Sequence, residues 1–272
     1  MPDTSCIFRV MHRTLIIAPV FLCLFLLSFA KTEARDTKET HPSARIPILL
    51  YHRFGPAVSD SMTVTTAVFE SHLKYFADKG YTVIPLRHLV DYYRRQGPPP
   101  PLRSVVITAD DGHSTVYFGM FPLIKKYRIP VTLFIYPSAI SNAPYAMTWE
   151  QLREMKKSGL VDVQSHSFWH PNFNRDKRGM TPGEYDKSVE MQFRKSKERL
   201  DRELGTKVDM LAWPFGIYNE DLKLKAAGAG YVAAFTMERR HSSFSENIMT
   251  LPRYLMTDEN KGRLFERMLA GE

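Results

Sequence analysis

Short apolar segments alternate along this chain with segments that have apolar residues at helical spacing. The stretches "PILLY", "SVVITAD", "VTLFI" and "VDVQS" are typical of buried strands, and "ESHLKYFADKG" and "TWEQLREMKKSG" are typical of helices. Roughly seven such strand–helix units follow one another, which indicates parallel strands joined by crossover helices. No dinucleotide fingerprint or phosphate-binding loop follows any strand. The pattern therefore predicts a single α/β domain folded as a barrel or distorted barrel.

Local signals set some of the predicted helix boundaries. Thr148 with Gln151 three residues later predicts a capping box at a helix start. Pro122 predicts a kink or a restart inside the helical segment that follows "SVVITAD".

The N-terminal segment differs from the rest of the chain. Arg9, His12 and Arg13 precede an apolar run over residues 15–30, and small residues follow it. This arrangement is typical of a secretory signal, and the run is short for a helix that spans a bilayer. We expect residues 1–34 to be a signal peptide or a membrane anchor, residues 35–44 a linker, and residues 45–272 the folded domain. The protein is then exported to the periplasm, released outside the cell, or held at the membrane by this segment.

Cysteine content and charge exclude several functions. Cys6 and Cys23 both lie in the N-terminal segment, so the remaining chain contains no thiol. A metal site there must use His, Asp and Glu side chains. The net charge of +8 is spread over separate short basic groups, and no nucleic-acid-binding motif accompanies them. We expect no nucleic-acid partner, and the sequence does not predict an oligomeric state.

Polar and aromatic residues gather where the predicted strands end. Because a barrel places its chemistry at the carboxyl ends of its strands, these residues should meet on one face. They are His52, Asp110, Asp111, His166, His170, Trp213 and Phe215.

The adjacent carboxylates of Asp110 and Asp111 are the least expected feature of this set. Neighbouring side chains on a regular strand point to opposite faces, so both can face one cavity only where the strand unravels. Gly112 permits such a bend. Two nearby carboxylates repel each other unless a cation lies close to them.

The segment "SHSFWH" supplies two imidazoles that suit a cation. His166 and His170 are four residues apart, and one helical turn would bring them to the same side. Two imidazoles and one carboxylate match a three-ligand catalytic site for zinc or a similar divalent ion. One Asp would then bind the ion and the other would remain free as a base. Candidates for orienting the imidazoles are Gln164, Ser165, Ser167 and Asn172.

The motifs "TADDG" (108–112), "SHSFWH" (165–170) and "WPFG" (213–216) together resemble those of the polysaccharide deacetylase family. This is carbohydrate esterase family 4, also called the NodB-homology domain, and the resemblance covers about residues 45–255. It implies a distorted (β/α) barrel, often of seven strands, that removes N-acetyl groups from a polysaccharide. It also implies one divalent ion, with Zn²⁺ expected and Co²⁺, Ni²⁺ or Fe²⁺ as alternatives.

The resemblance also implies a role for each motif residue. Asp110 corresponds to the general base, and the metal ligands correspond to Asp111, His166 and His170. The third motif corresponds to the substrate and oxyanion region, which places Trp213, Pro214 and Phe215 there. The backbone N–H of Phe215 would donate to the oxyanion, and Trp213 is the strongest candidate among the aromatic residues for stacking on a sugar ring.

The chain departs from the family pattern at several points. Ala212 stands where most members have an arginine that supports the base, and Arg253 could take its place in space. The catalytic acid is usually a late histidine, and here only His241 is available. However, "PILLYHRF" resembles the start of the poly-β-1,6-N-acetylglucosamine deacetylase branch, which is circularly permuted. That resemblance makes His52 the expected acid.

Several functions therefore remain open at this point. An exported deacetylase of an N-acetylglucosamine exopolysaccharide is the leading hypothesis, with peptidoglycan or chitin oligomers as alternative substrates. A non-catalytic sugar-binding module on the same scaffold is a hypothesis of a different class. A metal phosphohydrolase would usually need more carboxylates for a two-metal site.

Overall fold

The computed structural model describes residues 45–272. The predicted signal or anchor (residues 1–34) and the linker (residues 35–44) lie outside the described residues. Among the described residues, no helix is both long enough and apolar enough to cross a membrane.

A curled parallel sheet forms the centre of the domain. In chain order the strands are β1 (Ile48–Tyr51), β2 (Arg53–Gly55), β3 (Thr63–Thr65), β4 (Thr82–Val83), β5 (Ser104–Asp110), β6 (Val131–Ile135), β7 (Val161–Ser165), β8 (Met210–Ala212), β9 (Ala233–Phe235) and β10 (Tyr254–Leu255). Seven of them follow one another across the sheet in the order β10-β1-β5-β6-β7-β8-β9, and every pairing is parallel. β4 adds to the edge of β5, and β2 pairs separately with β3. The half-barrel of seven parallel strands confirms the fold class predicted from the sequence.

Helices surround the sheet and begin at recognisable caps. They are α1 (Thr66–Asp78), α2 (Leu86–Tyr93), α3 (Phe121–Tyr127), α4 (Trp149–Lys157), α5 (Phe173–Arg178), α6 (Pro182–Leu204), α7 (Glu220–Gly228) and α8 (Gly262–Ala270). The predicted capping box of Thr148 and Gln151 is present at the start of α4. Pro122 lies in the first turn of α3, directly after a π-helical turn (Val116–Met120), which confirms the predicted restart.

Strand β5 shows how the sequence directs side chains to the two faces of the sheet. All seven of its residues are buried. Val105 and Ile107 belong to the large cluster that includes the helices, whereas Val106 packs in a second cluster with residues of β1, β6, β8 and β9. Because side chains alternate along a strand, Thr108 and Asp110 share the inner face with Val106. This alternation directs Asp110 to the inside of the barrel at the carboxyl end of the strand.

A closing segment (residues 248–255) links the two edge strands of the half-barrel. The N–H of Ala234 in β9 donates to the carbonyl of Ile248 at 2.9 Å, and the N–H of Leu251 donates back to the carbonyl of Ala234 at 2.9 Å. The same segment ends in β10, where Tyr254 pairs with Leu49 of β1. The closing segment therefore carries its residues into the barrel interior between β9 and β1.

Candidate active site

The strand ends converge on a small cavity of about 120 Å³. The residues that line it are His52, Met62, Asp110, Asp111, His166, His170, Trp213, Phe215 and Met237. The structure thus brings together all seven residues that the sequence placed at the ends of strands. Pro214 is buried and lies between Trp213 and Phe215 of this lining. Met62 and Met237 were not found from the sequence, because methionine fills irregular apolar gaps and leaves no pattern.

The two aspartates face one cavity because the chain bends sharply where β5 ends. Asp110 is the last residue of the strand, and both Asp111 (φ 73°) and Gly112 (φ 78°) have left-handed backbone conformations. A Cβ added to Gly112 would lie 3.0 Å from side-chain atoms of Ile135 and Ile140. The bend expected at Gly112 therefore begins one residue earlier, at Asp111. Non-glycine residues in this conformation are strained, and such strain is concentrated at functional sites.

Asp110 is paired with an arginine in the barrel interior. Arg253 Nη1 and Nη2 donate to the two carboxylate oxygens at 2.8 and 2.7 Å, and both residues are fully buried. Arg253 Nε also donates to the carbonyl oxygen of Thr236 at 3.1 Å. Burial alone would raise the pKa of Asp110, but Arg253 and the nearby His166 more than offset burial and lower it. Asp110 is therefore an ionised carboxylate with a fixed orientation.

Arg253 lies beside Asp110, where the sequence suggested that it could replace the usual arginine. The position where most family members have an arginine is Ala212, which is buried in β8. The guanidinium comes from the closing segment instead, 143 residues away from Asp110 in the chain.

The ligand atoms of Asp111, His166 and His170 lie within 4.8 Å of one another. Asp111 Oδ1 is 3.6 Å from His166 Nε2 and 3.8 Å from His170 Nε2. His166 Nδ1 lies 2.8 Å from the carbonyl oxygen of Ala212, which can only accept, so Nδ1 carries the proton and Nε2 presents a lone pair to the cavity. Burial lowers the pKa of both imidazoles to about 4, so both are neutral at neutral pH. Neutral imidazoles are the form that binds a metal ion.

These separations fit a single tetrahedral ion. With zinc–ligand bonds of about 2.0–2.2 Å, tetrahedral geometry separates the ligand atoms by about 3.3–3.5 Å. The separations measured from Asp111 Oδ1 exceed this range by only a few tenths of an ångström. Asp110 Oδ2 is also 3.7 Å from His166 Nε2, but both of its oxygens already accept from Arg253. Asp111, the other carboxylate, is therefore the better candidate ligand.

The two histidines are not on a helical turn, which corrects the expectation from their spacing. Residues 166–170, here called the His loop, follow β7 without helical hydrogen bonding. Ser167 (φ 62°) and His170 (φ 58°) have left-handed conformations, which bend the loop so that both rings face the cavity. The ring centroids of His166 and His170 are 4.5 Å apart.

Serine hydroxyls and one glutamine hold the His loop. Ser165 Oγ accepts from the N–H of Ser167 at 3.1 Å, and Ser167 Oγ accepts from the N–H of His170 at 3.2 Å. Gln192 of α6 accepts two further N–H groups of the loop. The sequence singled out both serines but missed Gln192, whose only signal is an amide on the buried side of a long helix.

Two other candidates for orienting the imidazoles lie elsewhere. Gln164 accepts from the N–H groups of Asp209 and Met210, and Asn172 caps α5.

The structure separates the two candidates for the catalytic acid. His52 lies at the end of β1, is 5% exposed, and lines the cavity. His241 instead bonds to the Tyr254 hydroxyl at 2.8 Å and the carbonyl of Leu269 at 3.2 Å, and it lines a different cavity. Burial lowers the pKa of His52, and the carboxylates of Asp110 and Asp111 oppose this effect because they favour the protonated imidazole.

The aromatic residues of the third motif form one wall of the cavity. Trp213 is fully buried, and its indole N–H donates to the carbonyl of Met249 at 2.9 Å. With no exposed ring face, Trp213 does not offer the sugar-stacking surface expected from the sequence. Phe215 is half exposed, has a left-handed backbone (φ 55°), and packs its ring 4.4 Å from that of His170.

Fold and site together define a class of α/β-barrel proteins in which one aspartate and two histidines, a set that could hold a metal ion, lie beside a second aspartate that is paired with an arginine. A family model described as polysaccharide deacetylase matches residues 97–234. The chain belongs to the polysaccharide deacetylase family, whose members are hydrolases.

Individual relatives agree with this assignment. YxkH of Bacillus subtilis (strain 168), provisionally named a polysaccharide deacetylase, is 28% identical over 227 residues, or 84% of this chain and 77% of that protein. The poly-β-1,6-N-acetyl-D-glucosamine N-deacetylase of Staphylococcus aureus (strain MRSA252) is 26% identical over 209 residues, or 75% and 71% of the two chains. The solved structure of the Streptococcus pyogenes deacetylase PplD in complex with acetate has a TM-score of 0.75 at 21% identity and covers 84% of this chain and 99% of its own. That likeness supports the fold.

Proposed function

We propose that this protein is an exported, metal-dependent N-deacetylase of a β-1,6-linked N-acetylglucosamine polymer. The observation that carries the proposal is the Asp111, His166 and His170 cluster beside the arginine-paired Asp110, in a cavity of about 120 Å³. The named activity of the Staphylococcus aureus relative supports the choice of polymer. The basic and apolar N-terminal sequence supports export.

The donor set supports one divalent ion. Two neutral imidazoles and a carboxylate suit Zn²⁺ best, with Co²⁺, Ni²⁺ and Fe²⁺ as alternatives. Asp111, His166 and His170 would hold the ion. When bound, such an ion lowers the pKa of a water molecule and polarises a carbonyl group.

Asp110 is the proposed general base. Its carboxylate is ionised and is held by Arg253, so it can accept a proton from the attacking water without first having to reorient. Arg253 acts through Asp110 and does not line the cavity itself. Among the residues that the structure describes around the cavity, Asp110 is the only carboxylate outside the proposed ligand set, so its loss should stop turnover.

The remaining groups are placed to stabilise the charges that form on the substrate. The Phe215 N–H is the proposed donor to the oxyanion, and one such preorganised donor contributes about 3–4 kcal/mol to catalysis. His52 is the proposed acid that protonates the departing sugar amine, and its buried Nδ1 has no hydrogen-bond partner among the described residues. Met62 and Met237 give the cavity an apolar wall suited to an acetyl methyl group.

Acetate release from defined oligosaccharides tests the proposal. We expect release from β-1,6-linked N-acetylglucosamine oligomers to exceed release from β-1,4-linked ones, to stop with a chelator, and to return with Zn²⁺. Asp111→Ala is the matched negative control, because it removes one proposed ligand. A preference for β-1,4-linked oligomers would favour peptidoglycan or chitin instead. Binding without acetate release from any oligomer would favour a sugar-binding module.

A further inference from the structure

The His loop is attached to α6 by a buried glutamine. Gln192 Oε1 accepts from the N–H of Phe168 at 3.1 Å and from the N–H of Trp169 at 3.0 Å. We propose that Gln192 is a positioning residue that holds His166 and His170 at the separation a divalent ion needs, and that it thereby sets the metal affinity. This inference rests on the proposed function, because that function supplies the ion.

The His loop needs such an acceptor because it forms neither a helix nor a strand. Beyond His166, whose N–H donates to the carbonyl of Ile135, its backbone N–H groups have no partners in a regular element, and burying an unpaired N–H is unfavourable. An amide oxygen has two lone pairs and can accept both donors at once. Gln192 is fully buried, and its oxygen must face the loop because its NH₂ group could not accept.

Burying Gln192 is partly unfavourable, because one of its polar groups stays unpaired in the part of the chain that the structure describes. Gln192 Nε2 is buried and has no hydrogen-bond partner among the described residues. An apolar side chain of similar size would avoid leaving this group unpaired. The benefit of an amide at this position must therefore lie in the two bonds to the loop.

The bonded amides belong to the residues between the two histidines. Fixing Phe168 and Trp169 fixes the path of the chain from one imidazole to the other. One turn further along α6, Ser196 Oγ lies 2.7 Å from the Oγ of Ser165, the residue directly before the loop. Residues four apart share one face of a helix, so α6 holds the His loop at its start and at its middle.

Gln192→Met is the direct test, because methionine has similar length and cannot accept either bond. We expect it to weaken Zn²⁺ binding by about 10–100-fold, measured by competition with a chromophoric chelator. Gln192→Glu keeps an acceptor oxygen at the position of Oε1 and should recover most of the affinity.

Gln164→Met is the matched control. Gln164 is equally buried, and its Oε1 also accepts two backbone N–H groups, those of Asp209 and Met210, at 3.0 and 2.9 Å. Gln164 Nε2 also donates to Asp162 Oδ2 and to the carbonyl of Lys207, so Gln164→Met should lower stability at least as much as Gln192→Met does. Because its bonds lead away from the His loop, it should leave the Zn²⁺ affinity within about threefold of the wild type, well short of the loss expected for a ligand-orienting contact.

Amide hydrogen exchange in the metal-free protein gives a second readout. In Gln192→Met the amides of Phe168 and Trp169 should exchange faster, while those of Asp209 and Met210 keep their protection. If Gln192→Met does not fold, Gln192→Asn, whose shorter side chain withdraws the oxygen, should show the same two changes.

Two results would overturn the inference. One is equal loss of affinity in Gln192→Met and Gln164→Met, which would mean that only global stability matters. The other is unchanged affinity in Gln192→Met. If the wild-type protein binds no divalent ion, the proposed function fails as well, and the exchange data then show separately whether Gln192 holds the loop.

Discussion

Replacing Arg253 by methionine tests how much the buried ion pair with Asp110 stabilises the domain. Methionine fills much of the same volume and removes the guanidinium that donates to both carboxylate oxygens at 2.8 and 2.7 Å. The two side chains are 0% and 2% exposed, so water cannot replace the lost partner. The variant therefore leaves a buried carboxylate without a counter-charge.

Breaking a buried pair in this way typically costs about 3–5 kcal/mol of unfolding free energy. An exposed pair contributes about 0–1 kcal/mol. Because the pair is inaccessible to solvent, we expect Arg253→Met to lower the unfolding free energy by about 4 kcal/mol, within the range for buried pairs. Asp110→Asn should also destabilise the protein, since it leaves the guanidinium buried and without its carboxylate.

The double variant Arg253→Met/Asp110→Asn removes both charges. It should therefore be less destabilised than the sum of the single variants by about 2–3 kcal/mol. The assay is urea unfolding at neutral pH, followed by tryptophan fluorescence, with a chelator present so that metal binding does not contribute. The matched control is Arg194→Met, which breaks the exposed pair between Arg194 and Glu198 and should barely change stability.

Two outcomes would refute this reasoning. Arg253→Met could lower the unfolding free energy by less than about 1 kcal/mol, as for an exposed pair. Alternatively, the double variant could equal the sum of the single ones, which would mean that the two charges are not coupled.

The other predictions concern the site and one buried histidine. Asp110→Asn should abolish acetate release and still bind zinc by elemental analysis, whereas His166→Ala should lose the zinc. His52→Ala should slow acetate release severely and His241→Ala should not, because only His52 lines the cavity; the opposite ranking would remove His52 as the acid. His72 should account for a fall of about 3 kcal/mol in the unfolding free energy as the pH drops from 6.5 to 4, because burial lowers its pKa to about 4 and the unfolded chain binds more protons in that window. His166 and His170, whose pKa values burial lowers in the same way, add to the total fall. His72→Gln should flatten this part of the curve, and an unchanged curve would contradict the assignment.

The barrel could be predicted because its signal is repeated along the chain. Each buried strand is a short apolar run, and each helix has its own period and caps, as in the capping box of Thr148 and Gln151. The short parallel pair of β2 and β3 was missed because three-residue strands are too short to show a period. The helix α8 was also missed, since it follows the last predicted strand, where the alternation of strands and helices ends.

The membership of the site could be predicted, but its geometry could not. Sequence motifs identified His52, Asp110, Asp111, His166 and His170, and the structure brings all five to one cavity. The helical turn proposed for the two histidines was wrong, because left-handed residues at 167 and 170 have no signal in residue type. Non-glycine residues adopt that conformation only where surrounding contacts impose it.

Contacts between distant parts of the chain had the weakest sequence signal. Arg253 was proposed only because Ala212 left the base without its usual arginine, and nothing near Arg253 in sequence points to Asp110. Gln192 was not found at all, because its partners are backbone N–H groups of the His loop, and any sequence provides those.

The closing segment has a consequence for biosynthesis. The 143 residues between Asp110 and Arg253 take roughly 7–30 s to add at the usual rate of translation. Throughout that interval β1 lacks its β10 neighbour, and an open strand edge can pair with other chains. Until the final strand docks, the barrel edge therefore stays open and the carboxylate of Asp110 lacks its guanidinium partner.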